Sequence, residues 1–252
     1  MSHHASDAIQ PETAPIVGIG CQLYEGRIRV RQDYLDAVTR AGGVPLLLGP
    51  VEIDAADAVI RASLDRCHAL VLTGGDDPAV ERYGDTTHPA VTLEDPRRQH
   101  FDERLLAIRA SEFPEMPLLA VCLGMQLLAL ARGGSLNQHL PDDTPTHADH
   151  ANNATHAIVP TTDHLGGGTV TSSHHQAVRD AGDLDVIARA HDGVIEAIAD
   201  SDHAYCLGVQ WHPERTSDPV LGQSVFDDLI DAARRYSAAI PTPEHPTPWP
   251  TS

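Results

Sequence analysis

The 252-residue chain contains no lysine: its 17 basic residues are all arginine, set against 36 Asp and Glu for a formal net charge of −19. Such a field repels phosphate backbones and anionic lipid, so neither nucleic acid nor membrane is an expected partner. It suits a halophilic protein in a salt-rich cytoplasm, where dissolved ions screen self-repulsion. Cysteine is scarce as well. Cys21, Cys67, Cys122 and Cys206 are widely spaced and form no CxxC pair, which argues against a disulfide framework and against a thiolate zinc site. No apolar run reaches the roughly 18 residues that a membrane helix needs. The opening MSHHASDAIQPETAP has no basic segment followed by an apolar one, so it does not read as a secretory signal. A reducing, cytoplasmic setting is expected.

What is present is a polar frame around an alternating core. Residues 1–14 and 239–252 are polar and Pro-rich and read as disordered tails. Residues 15–238 read as one domain. Ile16–Gly20, Val44–Leu48, Ala69–Leu72 and Pro117–Val121 are short apolar strand candidates. They alternate with helical stretches at Asp33–Ala41, Asp54–Arg66, Arg97–Ser111 and Met125–Arg132. That β-α-β-α rhythm predicts an α/β fold with a flavodoxin-like, doubly wound, mostly parallel sheet. The C-terminal half changes character. His156–Pro160, Thr169–Ser172, Asp185–Ala190, Val194–Ala199 and Leu207–Gln210 are closely spaced strands, expected as antiparallel additions before a last helix at Gln223–Ser237. Asn137–His156 reads as a loop.

Chemistry concentrates in three places. In Leu118-Leu119-Ala120-Val121-Cys122-Leu123-Gly124-Met125-Gln126 a nucleophile-type residue sits between an apolar strand and a helix. Small residues lie two before and two after it, the layout of a nucleophile elbow with Cys in place of Ser. The helix N-terminus behind the sulfur is expected to lower the thiol pKa. In Gly208-Val209-Gln210-Trp211-His212-Pro213-Glu214 a strand delivers an imidazole, and a carboxylate follows two residues later. A Cys nucleophile needs such a base, and the base needs a carboxylate to hold its tautomer. Gly74-Gly75 after the third strand could free backbone N–H groups for an oxyanion, with Leu123 N–H as a second donor. Taken singly, each admits a plainer reading as a buried small hydrophobe, a strand-end His or a Gly turn. Together they do not.

The three segments, in this order, resemble the class I glutamine amidotransferase superfamily, and within it the peptidase C26 branch of γ-glutamyl-γ-aminobutyrate hydrolase-like proteins. The matching text runs from YLDAVTRAGGVPLLL through VLTGGDDP, PLLAVCLGMQLLALARGGSLNQ, SSHHQAV and DGVIEAI to GVQWHPE. The resemblance implies that Cys122 attacks a γ-carbonyl, that His212 is the base and that Glu214 orients it. Gly75 and Leu123 would form the oxyanion hole, Gln126 would help bind the glutamyl group, and His174 or His175 would line the pocket. Two departures stand out: many members carry Arg directly after the nucleophile, where this chain has Leu123, and Ala120 replaces a usual Gly.

The implied activity is hydrolysis of a small γ-glutamyl amide to glutamate and an amine through a Cys-linked thioester. The alternatives are a glutaminase subunit feeding ammonia to a synthetase partner, and a catalytically silent binding module on the same fold. A homodimer is compatible with either enzyme reading. No cofactor and no metal is expected. His139, His147, His150, His156 and His164 match no ligand-spacing pattern and read as solvated loop histidines. Asp76-Asp77 reads as a turn former, and Cys21, Cys67 and Cys206 as packing residues.

Overall fold

The computed structural model describes residues 14–51, 56–162 and 165–240. Among the described residues are thirteen strands and five α-helices, and nine of the strands and all five helices follow the predicted alternation. Strand β1 is Ile16–Gly20, and β2 (Gln22–Tyr24) and β3 (Arg27–Arg29) form a small hairpin after it. Helix α1 (Gln32–Arg40), β4 (Val44–Leu48), α2 (Ala56–Leu64), β5 (Ala69–Leu72), α3 (Pro96–Glu112), β6 (Leu118–Val121) and α4 (Leu123–Ala131) complete the first half. Then come β7 (Ser135–Asn137), β8 (Ala154–Pro160), β9 (Gly168–Ser172), β10 (Ala177–Asp180), β11 (Asp185–Ala190), β12 (Ile195–Ala199), β13 (Cys206–Val209) and α5 (Gln223–Ala239).

Nine strands make one sheet in the order β4-β1-β5-β6-β13-β12-β11-β8-β9. The first five run parallel, and the last four are added antiparallel. Every residue of β5 and β6 is buried, as their unbroken apolar text requires when helices cover both faces. One face packs Ile60, Leu105, Ile108, Met125 and Leu127 from α2, α3 and α4. The other packs Val38 from α1, and Phe226, Leu229 and Ile230 from α5, in one cluster with the fully buried Trp211. Helix α3 starts where its sequence says it can: Pro96 needs no N–H partner, and the Asp95 side chain accepts from Arg97 N–H at 2.9 Å.

This order puts the C-terminal ends of β5, β6 and β13 side by side on one edge. That edge is where parallel α/β sheets hold ligands. Because β12 is antiparallel to β13, with Ala197 opposite Val209, its N-terminal end reaches the same edge.

Several expectations change. The stretch Asn137–His156 is not one loop. It carries the end of β7, two short 3₁₀ turns (Leu140–Asp142 and His147–His150) and the start of β8. The hairpin β2–β3 and the β7–β10 pair were not anticipated, because three- and four-residue strands leave too little periodicity to read. Helix α4 starts directly after Cys122, two residues earlier than expected. Helix α5 runs on to Ala239, the first residue assigned to the C-terminal tail. The rest of both tail assignments, apart from Ala14 and Ile240, and His164 lie outside the described residues.

Candidate active site

Cys122 sits at the junction of β6 and α4 with φ 52 and ψ −106, a conformation that non-glycine residues avoid and that active sites often store. The turn needs Gly124. A Cβ there would lie 2.6 Å from the Leu72 carbonyl oxygen, so a larger residue would push α4 off β5. Cys122 N–H is tied to Val209 O at 2.8 Å, which couples the elbow to the strand that delivers His212. The thiol is buried, and burial pushes it up to about 12; the Leu123 N–H opposes this, while the Glu214 and Asp77 carboxylates add to it. The lowering expected from the helix terminus is present in the Leu123 N–H, but burial outweighs it and the net shift is upward. Removing the sulfur from water outweighs the one N–H that the helix aims at it.

His212 follows β13. Its N–H donates to Thr171 O at 2.9 Å, and its carbonyl accepts from the Thr216 hydroxyl at 2.9 Å. Trp211, one residue earlier, anchors the segment by donating Nε1–H to Leu221 O at 2.9 Å. Pro213–Arg215 then forms a 3₁₀ turn that swings Glu214 back, so that its Oε1 lies 2.8 Å from His212 Nδ1. A carboxylate only accepts, so Nδ1 carries the hydrogen and Nε2 is left as the free base. Arg215 Nε, at 3.2 Å from the same oxygen, helps hold it. His212 and Cys122 meet across Gly74: a Cβ on that glycine would stand 3.0 Å from His212 Cε1 and 3.5 Å from Cys122 Cβ.

Gly75 is hemmed in on its side-chain face, where a Cβ would meet Glu94 Oε2 at 2.3 Å and Leu123 Cδ2 at 2.6 Å. The turn is fixed from below by Glu94, which accepts from Asp76 N–H and Asp95 N–H, and by Tyr34, whose hydroxyl accepts from Gly74 N–H. Leu123 points its side chain into the core and its N–H at the Cys122 sulfur. The departure from Arg at this position therefore alters packing beside Gly75, since the Leu123 side chain is not part of the cavity lining.

A cavity of about 270 Å³ opens over the sulfur, lined by Gly75, Asp77, Cys122, Gln126, His175 and Gln176 among others. Gln126 is buried and donates Nε2–H to Gln210 Oε1 at 3.3 Å and Gln176 O at 3.4 Å. His174 and His175 both line this cavity, but their partners differ. His175 Nε2 reaches the Asp77 carboxylate at 2.8 Å, and that contact raises its pKa. His174 Nδ1 lies 2.8 Å from Gln176 O, while its Nε2 faces Glu196 Oε1 at 3.7 Å without a hydrogen-bond partner.

Three residues with a place at this site were not found in the sequence. Asp77 is no mere turn former: it is buried, and it accepts from Thr92 N–H as well as pairing with His175. Gln176 is buried beside the cavity with neither amide atom hydrogen-bonded. Glu196 is wholly buried next to His150, His156 and His174. The reading of His150 and His156 as solvated is thus wrong. His139 and His147 are half-buried. Cys21, Cys67 and Cys206 are buried free thiols, as packing residues should be.

A strand-to-helix cysteine, an imidazole–carboxylate pair and a flanking glycine loop on a doubly wound sheet define an amidohydrolase of the class I glutamine amidotransferase-like kind. The family model described as Peptidase C26 matches residues 15–214, and the chain belongs to that family. Among relatives, it is 36% identical over 243 residues to the Mycobacterium tuberculosis protein named "Putative glutamine amidotransferase Rv2859c", covering 88% of this chain and 76% of that one. It is 27% identical over 232 residues to the gamma-glutamyl-gamma-aminobutyrate hydrolase PuuD of Escherichia coli K12, covering 83% and 88%. In fold it is similar to the glutaminase domain of Trypanosoma brucei CTPS, with a TM-score of 0.56 at 15% identity over 88% of this chain and 94% of that one. No helix among the described residues is long and apolar enough to cross a membrane.

Proposed function

We propose that the protein is a hydrolase of γ-glutamyl amides, working through a γ-glutamyl thioester on Cys122. The observation that carries this reading is the placement of Cys122 across Gly74 from a His212 whose Nδ1 is held by Glu214 at 2.8 Å. His212 Nε2 takes the thiol proton as Cys122 Sγ bonds to the γ-carbonyl carbon. The carbonyl electron pair moves to oxygen, where the N–H groups of Gly75 and Leu123 receive it. The thiol is neutral at rest, so deprotonation belongs to the attack itself. The tetrahedral intermediate collapses, the C–N bond breaks, and His212 returns the proton to the departing amine. Water, deprotonated by His212, then cleaves the thioester to release glutamate and restore the thiol. Glu214 holds the imidazolium in both halves.

The small polar cavity supports an amino-acid head group as the recognised part. Asp77, beside His175, offers a carboxylate to an α-ammonium, and the Gln126 and unpartnered Gln176 amides offer donors to an α-carboxylate. The PuuD relative supports a γ-glutamyl amide of an ω-amino acid. The relative named "Putative glutamine amidotransferase Rv2859c" supports a second reading, in which the substrate is glutamine. A panel of γ-glutamyl amides that includes glutamine, assayed for glutamate release by the protein alone, separates these readings. Release from the γ-glutamyl-aminobutyrate amide without a partner is expected, and release from glutamine only with a partner protein would favour the second. No release from any member, with or without a partner protein, would overturn both.

A further inference from the structure

At the wall of the cavity, which His174 helps to line, but outside the catalytic chemistry, four buried side chains converge. His150 ends the His147–His150 turn, His156 lies on β8, His174 follows β9, and Glu196 lies on β12. Their metal-binding atoms all fall within 4.8 Å of one another. Glu196 Oε1 is 3.1 Å from His150 Nδ1, 3.4 Å from His156 Nε2 and 3.7 Å from His174 Nε2. Four ligands at roughly 2.0–2.1 Å around a tetrahedral ion stand about 3.3–3.4 Å apart along each edge. The three spacings bracket that value.

The far side of each ring fixes which nitrogen faces inward. His150 Nε2 is 3.0 Å from the Asp192 carboxylate, His174 Nδ1 is 2.8 Å from Gln176 O, and His156 Nδ1 is 3.3 Å from Ala157 O. These partners only accept, so in the neutral rings that a metal requires the outer nitrogens hold the hydrogens and the inner ones present lone pairs. Asp192 is itself held by the Thr146 hydroxyl and Val194 N–H. Three lone pairs and a carboxylate aimed at one another repel. His150 Nδ1, His174 Nε2 and both Glu196 oxygens have no hydrogen-bond partner, although leaving buried polar atoms unsatisfied is costly. A cation at the centre answers all of these at once. The carboxylate–imidazole and carbonyl–imidazole pairs behind the ligands are the supports that metal-bound histidines have.

We propose that His150, His156, His174 and Glu196 form a closed, four-ligand site for a divalent transition-metal ion of the zinc class. Three imidazole nitrogens and one carboxylate oxygen suit that ion, and with four protein ligands no position is left open for substrate, so its role is structural. It would join the turn before β8 to β9 and β12. The backbone there leads into the cavity wall: Glu196 O accepts from Gln210 N–H at 2.8 Å, and His174 precedes His175 and Gln176. His156 Nε2 would exchange its 2.8 Å contact with the Ser172 hydroxyl for the metal.

The test is metal analysis of untagged full-length protein incubated with excess Zn²⁺ and desalted, together with competition against a chromogenic chelator. One Zn²⁺ per chain is expected. E196A and H156A should lose it, and D192N, which removes support behind His150, should weaken it about 10–100-fold. H139A, which breaks the separate His88–His139–Asp142 group, and C122A should both retain it. If the ligand variants fail to fold, Co²⁺ titration of the unaltered chain replaces them, with a tetrahedral ligand-field spectrum expected and S172A binding at least as tightly. A wild-type chain that retains no zinc would overturn the proposal, leaving extra imidazole protons to fill the space. So would zinc that H139A or C122A abolishes, or a Co²⁺ spectrum that is octahedral.

Discussion

At Cys122 two demands meet: a backbone at φ 52 and ψ −106 that projects the sulfur from the turn, and burial that keeps it protonated up to about 12. Since thiolate is the reactive form, and since its fraction grows with pH everywhere below that value, labelling by iodoacetamide without substrate should accelerate about tenfold per pH unit above neutrality. Peptide mapping separates Cys122 from the other buried thiols; a rate already on a plateau at pH 7 would reveal a preformed thiolate–imidazolium pair and contradict this account. Glu214→Gln keeps the shape but lets His212 adopt the wrong tautomer, so kcat should fall by about 10³–10⁴. A fall below tenfold in steady-state assays would show that Glu214 does not orient the base. Cys122, His212 and Glu214 were legible because each lies in a short, ordered segment whose chemistry depends on nearest neighbours. Asp77, Gln176 and Glu196 were not. The residues they meet lie far along the chain, 98 residues away for the Asp77–His175 contact, and no local pattern encodes such a meeting.

The glycine loop after β5 depends on an element that the sequence gives no reason to connect with it. Arg98 and Asp102, one turn apart on α3, form an ion pair at 2.7 Å with both side chains fully buried. Arg98 also donates to Thr73 O at 3.1 Å, while the Thr73 hydroxyl donates to Gly20 O at 2.7 Å. The helix thereby holds the loop that carries Gly74 and Gly75. Arg98→Met leaves the Asp102 carboxylate buried without its partner, which should cost about 3–5 kcal/mol in urea unfolding. Adding Asp102→Leu should recover most of that stability, because the stranded charge is then gone. A loss below 1 kcal/mol in the single variant would show that the pair matters little. The parallel strands were readable from their unbroken apolar text and from the helices between them. The region after β7 was not, because its order comes from histidines, aspartates and short turns packed against β12, where composition alone suggests a solvated loop.

For the whole molecule, 36 acidic against 17 basic side chains set a strong self-repulsion that dissolved ions would screen. Melting temperature and glutamate release should both rise from low to molar KCl; equal values across that range would remove the halophilic reading. The fold class was legible at this scale because the β-α-β rhythm alone dictates a doubly wound sheet. The alignment of β5, β6 and β13 on one edge was not, since strand order depends on crossovers that no segment records. That edge brings the elbow, the glycine loop and the His–Glu turn together, and it makes the central claim a chemical one: a γ-glutamyl group resides on Cys122 during turnover. The direct measurement is intact and peptide mass spectrometry of protein acid-quenched while it turns over a γ-glutamyl amide. The account predicts an adduct of one γ-glutamyl group on the Cys122 peptide, absent from Cys122→Ala, which also releases no glutamate. Undiminished glutamate release by Cys122→Ala would contradict it.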